Sequence, residues 1–241
     1  METEHNDNGT KKRLKLYDPV EQQQERGFEQ EAGASPMDPP DAYAPPALDP
    51  VPLEQMHPFL QKLGTEHVSF SEELKKAEDA IHSVKEHGFT EEVYRSLIHF
   101  LGVLDQDFVP HSRREEMELF PLLAERMLAS GEHSRGSDPT TAVDLMLDEH
   151  LKANRSAAVV LHFIEMASRL PDEKSRLILV GAALREALNL VELLRLHIFR
   201  EDNVVFASAH RLVSKAELDR MTSATDVAPP DSHQHHSHQH Q

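Results

Sequence analysis

Four histidines and two glutamates stand at spacings that could hold metal: His67, His111, His150 and His197, with Glu115 and Glu201 each four residues after a histidine. Residues four apart on a helix share a face, one turn apart. His111 with Glu115, and His197 with Glu201, therefore offer a nitrogen and a carboxylate to the same interior point. Glu66-His67 and Glu149-His150 open two similar halves of the chain. His111-x3-Glu115-x4-Phe120 and His197-x3-Glu201-x4-Phe206 close them. A helix pair used twice predicts a site of pseudo-twofold symmetry, with two metal ions that each take two imidazoles and are bridged by both carboxylates. Burying such a set without a cation is costly, because buried charges need partners. The chain has no cysteine, which excludes a thiolate zinc site, an iron–sulfur cluster, a disulfide framework and a cysteine nucleophile. Imidazole with carboxylate and no thiolate suits iron, manganese or zinc.

Four helices must position these groups. Helix 1, from about Leu53 to Glu86, carries an apolar stripe of Leu60, Leu63, His67, Phe70, Leu74, Ala77, Ile81 and Val84, with steps of three and four. Gly88 ends it and Thr90 caps the next. Helix 2, from about Glu91 to Ala129, carries Leu97, Leu101, Leu104, Phe108, His111, Glu115, Leu119 and Leu122. Pro110 and Pro121 within it predict a kink or break. After a polar loop, helix 3 runs from about Thr141 to Leu170, with Met146, His150, Ala153, Ala157, Leu161 and Ile164 inward. Pro171 suits the first turn of helix 4, which reaches about Val213 with Leu190, Leu194, His197, Glu201, Val204 and Ser208 inward. Short connections make this an all-α, antiparallel four-helix bundle over residues 53–213. A short amphipathic segment follows from Lys215 to Met221. His67 and His111 lie ~30 Å from the turn between their helices, at 1.5 Å per residue, so they meet at one level. His150 and His197 match less well, and helix 4 would have to start later to align them.

Other His-x3-Glu pairs fail on position. His82 with Glu86 lies beside the stripe, and His87 with Glu91 spans Gly88. His99 and His162 are off the ligand level, and Tyr94 is expected at the surface. Glu66, Glu118 and Glu149 are the carboxylates near enough to add a ligand. Their simpler reading, as solvated helix charges, is preferred.

Beyond this core the chain is polar. Residues 1–52, acidic and rich in proline, cannot bury enough apolar surface to offset their ordering entropy and are expected to be disordered. The segment 214–241 is read as a short helix and a His-rich tail that either gathers divalent metal or is a polar low-complexity end. With 42 acidic against 25 basic side chains, a formal charge of −17, neither nucleic acid nor an anionic membrane is an expected partner. No apolar run approaches the ~20 residues of a membrane span. The N-terminus has no apolar core of a secretory signal, so the expected address is the cytoplasm.

At the residues above, the stretches TEHVSFSEEL, HSRREEMELFPLL, DEHLKANRS and HIFREDNVVF resemble the hemerythrin-like, or HHE cation-binding, family over roughly residues 55–213. The resemblance implies a four-helix bundle with a non-haem di-iron centre that meets dioxygen, peroxide or nitric oxide. Its ligands would be His67, His111, Glu115, His150, His197 and Glu201. Oxygen-carrying members have a His-x3-His pair on helix 3, whereas Met146 stands four before His150 here, and the last carboxylate is Glu201 rather than an aspartate. Four histidines with two glutamates resemble the hemerythrin-like domain of the iron-sensing F-box protein more than the carriers. With four, both irons can keep an exchangeable position, which favours peroxide chemistry or metal loss over clean carriage.

Three functions compete at this point: a di-iron protein that binds or senses dioxygen, nitric oxide, peroxide or iron; a catalase-like or peroxidase-like enzyme acting on hydrogen peroxide; and an interaction protein whose metal only stabilises the fold.

Overall fold

The computed structural model of the chain describes residues 51–135 and 137–225. Among them there is no strand. Four long helical segments and a fifth, shorter helix follow one another: α1 (Pro58–His87), α2 (91–130), α3 (Ala142–Arg169), α4 (173–212) and α5 (Lys215–Thr225). A single 3-10 turn, Leu53–Gln55, precedes α1. The helix count is thus five, one more than the bundle read from the stripes. Most of the 1–52 tail and the His-rich end lie outside the described residues.

Each helix begins where its capping residues dictate. The first starts five residues later than expected, because Pro58 can take the first turn but Pro52 lies too far upstream to do so. His57 Nδ1 accepts the Phe59 N–H at 3.2 Å, and its Nε2 bonds Asp219 of α5 at 2.9 Å. Gly88, at φ 73°, ends α1. Thr90 caps α2 through Val93 N–H, and Asp144 accepts the Thr141 N–H at 2.6 Å to start α3. Asp172 caps α4 by accepting the Ser175 N–H at 2.8 Å. Pro171 therefore stands before the cap, outside the first turn where the sequence had placed it.

The prolines of α2 do not break it, and helix continues through both from 91 to 130. Each follows a π-turn, Leu104–Phe108 before Pro110 and Glu115–Leu119 before Pro121. A π-turn bonds N–H to the carbonyl five residues back, which widens the helix by one residue. That gives room to a pyrrolidine ring, which has no N–H to donate to the preceding turn and would otherwise clash with its carbonyl. A third π-turn, Glu201–Val205, interrupts α4 without a proline. The extra residue shifts the inward register: Val205 and Leu123 are buried where Val204 and Leu122 were expected. On α3, Val160 is buried and Leu161 is 41 % exposed, so the stripe passes one residue earlier.

Pairs such as Phe70 with Phe108, Glu73 with His99 and Glu66 with Arg114 run in opposite chain directions, so α1 and α2 are antiparallel. Glu78 with Arg195 shows the same for α1 and α4. The buried apolar residues fall into three layers along the helices. One joins Phe59, Leu60, Leu63, Leu119, Phe120, Met146, Val205 and Phe206, with Leu218 of α5 closing it. The next joins Phe70, Leu74, Phe108, Ala153, Leu190 and Leu194, and the third joins Ile81, Leu97, Val160, Ile164 and Ala187. The histidines sit between the first two layers. On the α3–α4 side the unequal depths persist. Helix 4 does start later, at Glu173, but α3 also ends early, at Arg169, so α4 still runs about a turn and a half further before His197 than α3 runs after His150. That excess shows at its start, where Leu177 and Ile178 are 58 % and 51 % exposed.

Among the described residues no helix is long and apolar enough to cross a membrane.

Candidate metal centre

The six residues singled out by spacing converge at one level of the core, all at 2 % exposure or less. They form two overlapping groups: His67, His111, Glu115 and Glu201, and Glu115, His150, His197 and Glu201. Within each group one ligand atom per residue lies within 4.8 Å of every other. The histidines divide between the groups, and both glutamates belong to both. His67 Nε2 faces His111 Nε2 at 3.0 Å, and His150 Nε2 faces His197 Nε2 at 3.1 Å. Between the pairs, Glu201 lies 3.1 Å from His67 Nε2 and 3.3 Å from His197 Nε2. Glu115 lies 3.4 Å from His111 Nε2 and 3.5 Å from His150 Nε2. Each glutamate thus spans both histidine pairs.

A carboxylate four residues past a histidine reaches the centre along ordinary α-helix, and a π-turn then begins at each of these glutamates, Glu115 and Glu201. In each, the N–H of the following phenylalanine, Phe120 or Phe206, bonds the glutamate's carbonyl. The helix is widened at the residue that must bridge. Phe206 stacks on His67 at 5.4 Å with 8° between ring planes, and Phe120 stacks on His150 at 5.8 Å with 18°. The phenylalanine of each half covers a histidine of the other.

A set of carboxylates that sequence reasoning left on the surface holds the outer nitrogens. His111 Nδ1 donates to Glu66 at 2.7 Å and His197 Nδ1 to Glu149 at 3.2 Å. Arg114 and Arg200, each three residues past those histidines, clamp the same two carboxylates. His67 Nδ1 donates to Asp202 at 2.7 Å and His150 Nδ1 to Glu116 at 2.8 Å. Glu66 and Glu149 are therefore neither solvated charges nor within the two ligand groups; Glu149 is buried. Glu118, the third carboxylate considered, belongs to neither group. The missed signal was present twice in the chain: an arginine three after His111 and His197, and an acid directly after each bridging glutamate.

This outer ring decides what the inner atoms can do. A neutral imidazole that donates from Nδ1 carries a lone pair on Nε2. All four Nδ1 atoms donate to carboxylates, so in each pair two lone pairs would face each other at about hydrogen-bond distance. All four oxygens of Glu115 and Glu201 are buried and, although within ion-pair reach of the rings, make no aligned hydrogen bond. Inward lone pairs and orphaned carboxylate oxygens in the core are a donor set that fits divalent cations, one per group, with the glutamates between them.

Without a cation, protons must supply the positive charge. Burial works against a charged His67, but Asp202 and Glu201 outweigh it and push its pKa up to about 10. Against its own burial, His111 is pushed up to about 9, chiefly by the charge of Glu115. Burial favours the neutral acid of Glu115, yet His111 and its neighbours hold it at about 2. His197 is raised despite burial, mainly through Glu201, while burial and the charge on His197 lower His150. For raised histidines the stabilisation is complete below their unfolded value of 6.5 and is lost as pH climbs towards 10. His197 acts in the same direction and His150 opposes it. Glu115 contributes above 4.5 and fades as pH falls towards 2. The metal-free protein should therefore lose thermal stability between pH 6.5 and 10. A divalent metal, which competes with protons for Nε2, should stabilise increasingly over that same window. Melting curves with and without metal at pH 6, 7.5 and 9 check both signs. A metal-free midpoint that climbs with pH would contradict them.

The family model described as the hemerythrin HHE cation binding domain matches residues 59–209. No curated protein and no solved structure matches the chain.

Proposed function

The chain belongs to the hemerythrin HHE cation-binding domain family, and on that premise we propose that it is a non-haem di-iron protein that binds or senses a small molecule such as dioxygen, nitric oxide or peroxide, or iron itself. In this reading α1 to α4 are the hemerythrin-like four-helix bundle and α5 is an addition to it. His67 and His111 would hold one iron and His150 and His197 the other, with Glu115 and Glu201 within reach of both.

One observation carries the reading: the two four-residue groups share both of their buried, unpartnered carboxylates. A single structural ion would need one group. Sharing suits two ions of equal charge held close together, with two anionic bridges offsetting their repulsion. Four protein atoms per ion leave an octahedral shell incomplete. When bound, the iron pair would supply Lewis acidity and one-electron redox chemistry towards a small oxidant or radical ligand.

The protein's own residues do the rest. Glu66, Glu116, Glu149 and Asp202 fix each imidazole in the tautomer that points Nε2 inward. Phe70, Phe108, Phe120 and Phe206 pack against the histidine rings and exclude water, which strengthens every charge interaction inside.

Metal content per chain tests the reading. Protein prepared without oxygen, lacking residues 232–241 and so the His-rich end, should bind about two irons. A double variant, His111→Ala with Glu201→Ala, should bind none. A folded protein with no tightly held metal would defeat the proposal. Oxygen release from hydrogen peroxide in proportion to iron content would instead assign the protein as an enzyme.

A further inference from the structure

Ligand placement follows the twofold repeat of the chain, but one feature breaks it. The π-turn Leu104–Phe108 in α2 has no counterpart in α4, which is regular α-helix from Glu173 to Arg200. His197 and Glu201 reach the centre without such a turn, so placing ligands does not require it.

Two cavities lie on the side of that turn. The outer one is an open groove of ≈ 590 Å³ between α1 and α2, with Glu66, Glu72, Glu73 and Asp107 against Arg114 and His99. The inner one is an apolar crevice of ≈ 10 Å³, walled by Phe70, Leu104, Phe108, Leu194 and Ile198. They meet at Phe70, Glu73 and Val103, which line both. The crevice ends on Phe108, whose ring lies 6.4 Å from that of His111, 5.8 Å from His150 and 5.9 Å from His197. Phe70 lies 5.3 Å from the His111 ring. At the repeat-related positions stand Ala153 for Phe70, Leu194 for Phe108 and Asn189 for Val103.

We propose that the π-turn Leu104–Phe108 opens a one-sided access route to the metal centre for a neutral, apolar diatomic molecule, with Phe70 and Phe108 as its gate. The idea rests on the di-iron reading above. The groove's carboxylates outnumber its cations, so its field disfavours anions such as azide or nitrite. Past Glu73, where it meets the groove, the crevice is walled by apolar side chains, so a neutral polar molecule such as hydrogen peroxide loses its water contacts without replacement on passing through. Nitric oxide and dioxygen incur neither cost. The crevice has room for about one water-sized sphere, so passage requires one of the two rings to move.

The test compares both sides of the repeat. In the iron(II)-loaded protein, Val103→Phe should slow nitric oxide association about tenfold and its dissociation by the same factor, with metal content and equilibrium affinity unchanged, because a barrier on the route is crossed in both directions. Asn189→Phe, the repeat-related substitution at an exposed position, should leave the rate alone. Phe70→Leu should speed association, which keeps the test alive if Val103→Phe folds poorly. A second readout needs no metal: dissolved dioxygen, being paramagnetic, should broaden the methyl resonances of Leu104, Leu194 and Ile198 more than those of the similarly buried Ile81 and Ile164 of the third layer. Unchanged association in Val103→Phe, or equal slowing by both phenylalanines, overturns the route while leaving the di-iron reading intact. A chain that loads no iron overturns that reading instead. In that case absence of selective methyl broadening overturns the route as well, and its presence upholds the route as a feature of the fold.

Discussion

Glu115→Ala should lose both metal ions, not one. Metal content should fall from about two per chain to well below one, and Glu201→Ala should behave alike. Each carboxylate belongs to both ligand groups, so removing either takes an anionic donor from each ion and leaves two cations with one anion between them. Histidine variants should differ in kind. His67 belongs only to the first group and His150 only to the second, so His67→Ala should leave the ion of the second group in place and bring the content towards one. Because Glu115 and Glu201 make no aligned hydrogen bond in the metal-free core, Glu115→Gln should leave helical content intact while losing metal. That separates a lost ligand from a lost fold. Metal analysis with circular dichroism on the four variants decides it. Equal loss in the histidine and glutamate variants would contradict bridging.

Arg200→Ala should be the most damaging change outside the ligand set. Its guanidinium clamps Glu149, whose side chain is 5 % exposed and which also accepts from His197 Nδ1. Without Arg200 that carboxylate is a buried charge short of its cation, which costs about 3–5 kcal/mol. In a chain of this size that lowers the thermal midpoint by roughly 10 °C. Metal affinity should fall by about 10–100-fold as well, because Glu149, the carboxylate that orients the His197 imidazole, loses its own anchor. Arg114→Ala is the internal comparison. Its carboxylate, Glu66, has a side chain 28 % exposed, so water replaces part of the lost contact and the stability effect should be smaller. Adding Glu149→Gln to Arg200→Ala should restore stability without restoring affinity, a coupling that a double-mutant cycle measures. If the two arginine variants cost the same, burial of Glu149 is not what matters.

The contrast between Glu149 and Leu161 shows where linear reasoning stops. A helical period places residues on a face to within one position, which sufficed for Leu60, Leu63, His67, Phe70 and Leu74, all buried. It can slip by one position at a π-turn, where one added residue shifts the face locally. Val205 and Leu123, rather than Val204 and Leu122, are inside for that reason. The prolines signalled irregularity in α2. Nothing comparable marked Glu201–Val205, where the turn forms at the residue that must bridge.

What the sequence by itself determined was the all-helical chain, the chemical type of the donors and the convergence of His67, His111, Glu115, His150, His197 and Glu201 at one level. Those follow from local periodicity, from repetition of one pattern in two halves and from the absence of cysteine. Only the tertiary structure decided that His150 and His197 meet despite the unequal lengths of their helices, that Glu66, Glu116, Glu149 and Asp202 accept from the outer nitrogens, and that α5 docks on the start of α1. Each of these is a contact between side chains of different helices. Periodicity along one helix sets which face a residue occupies, but the rotation and depth at which a second helix meets that face come from the packing of the apolar layers around it.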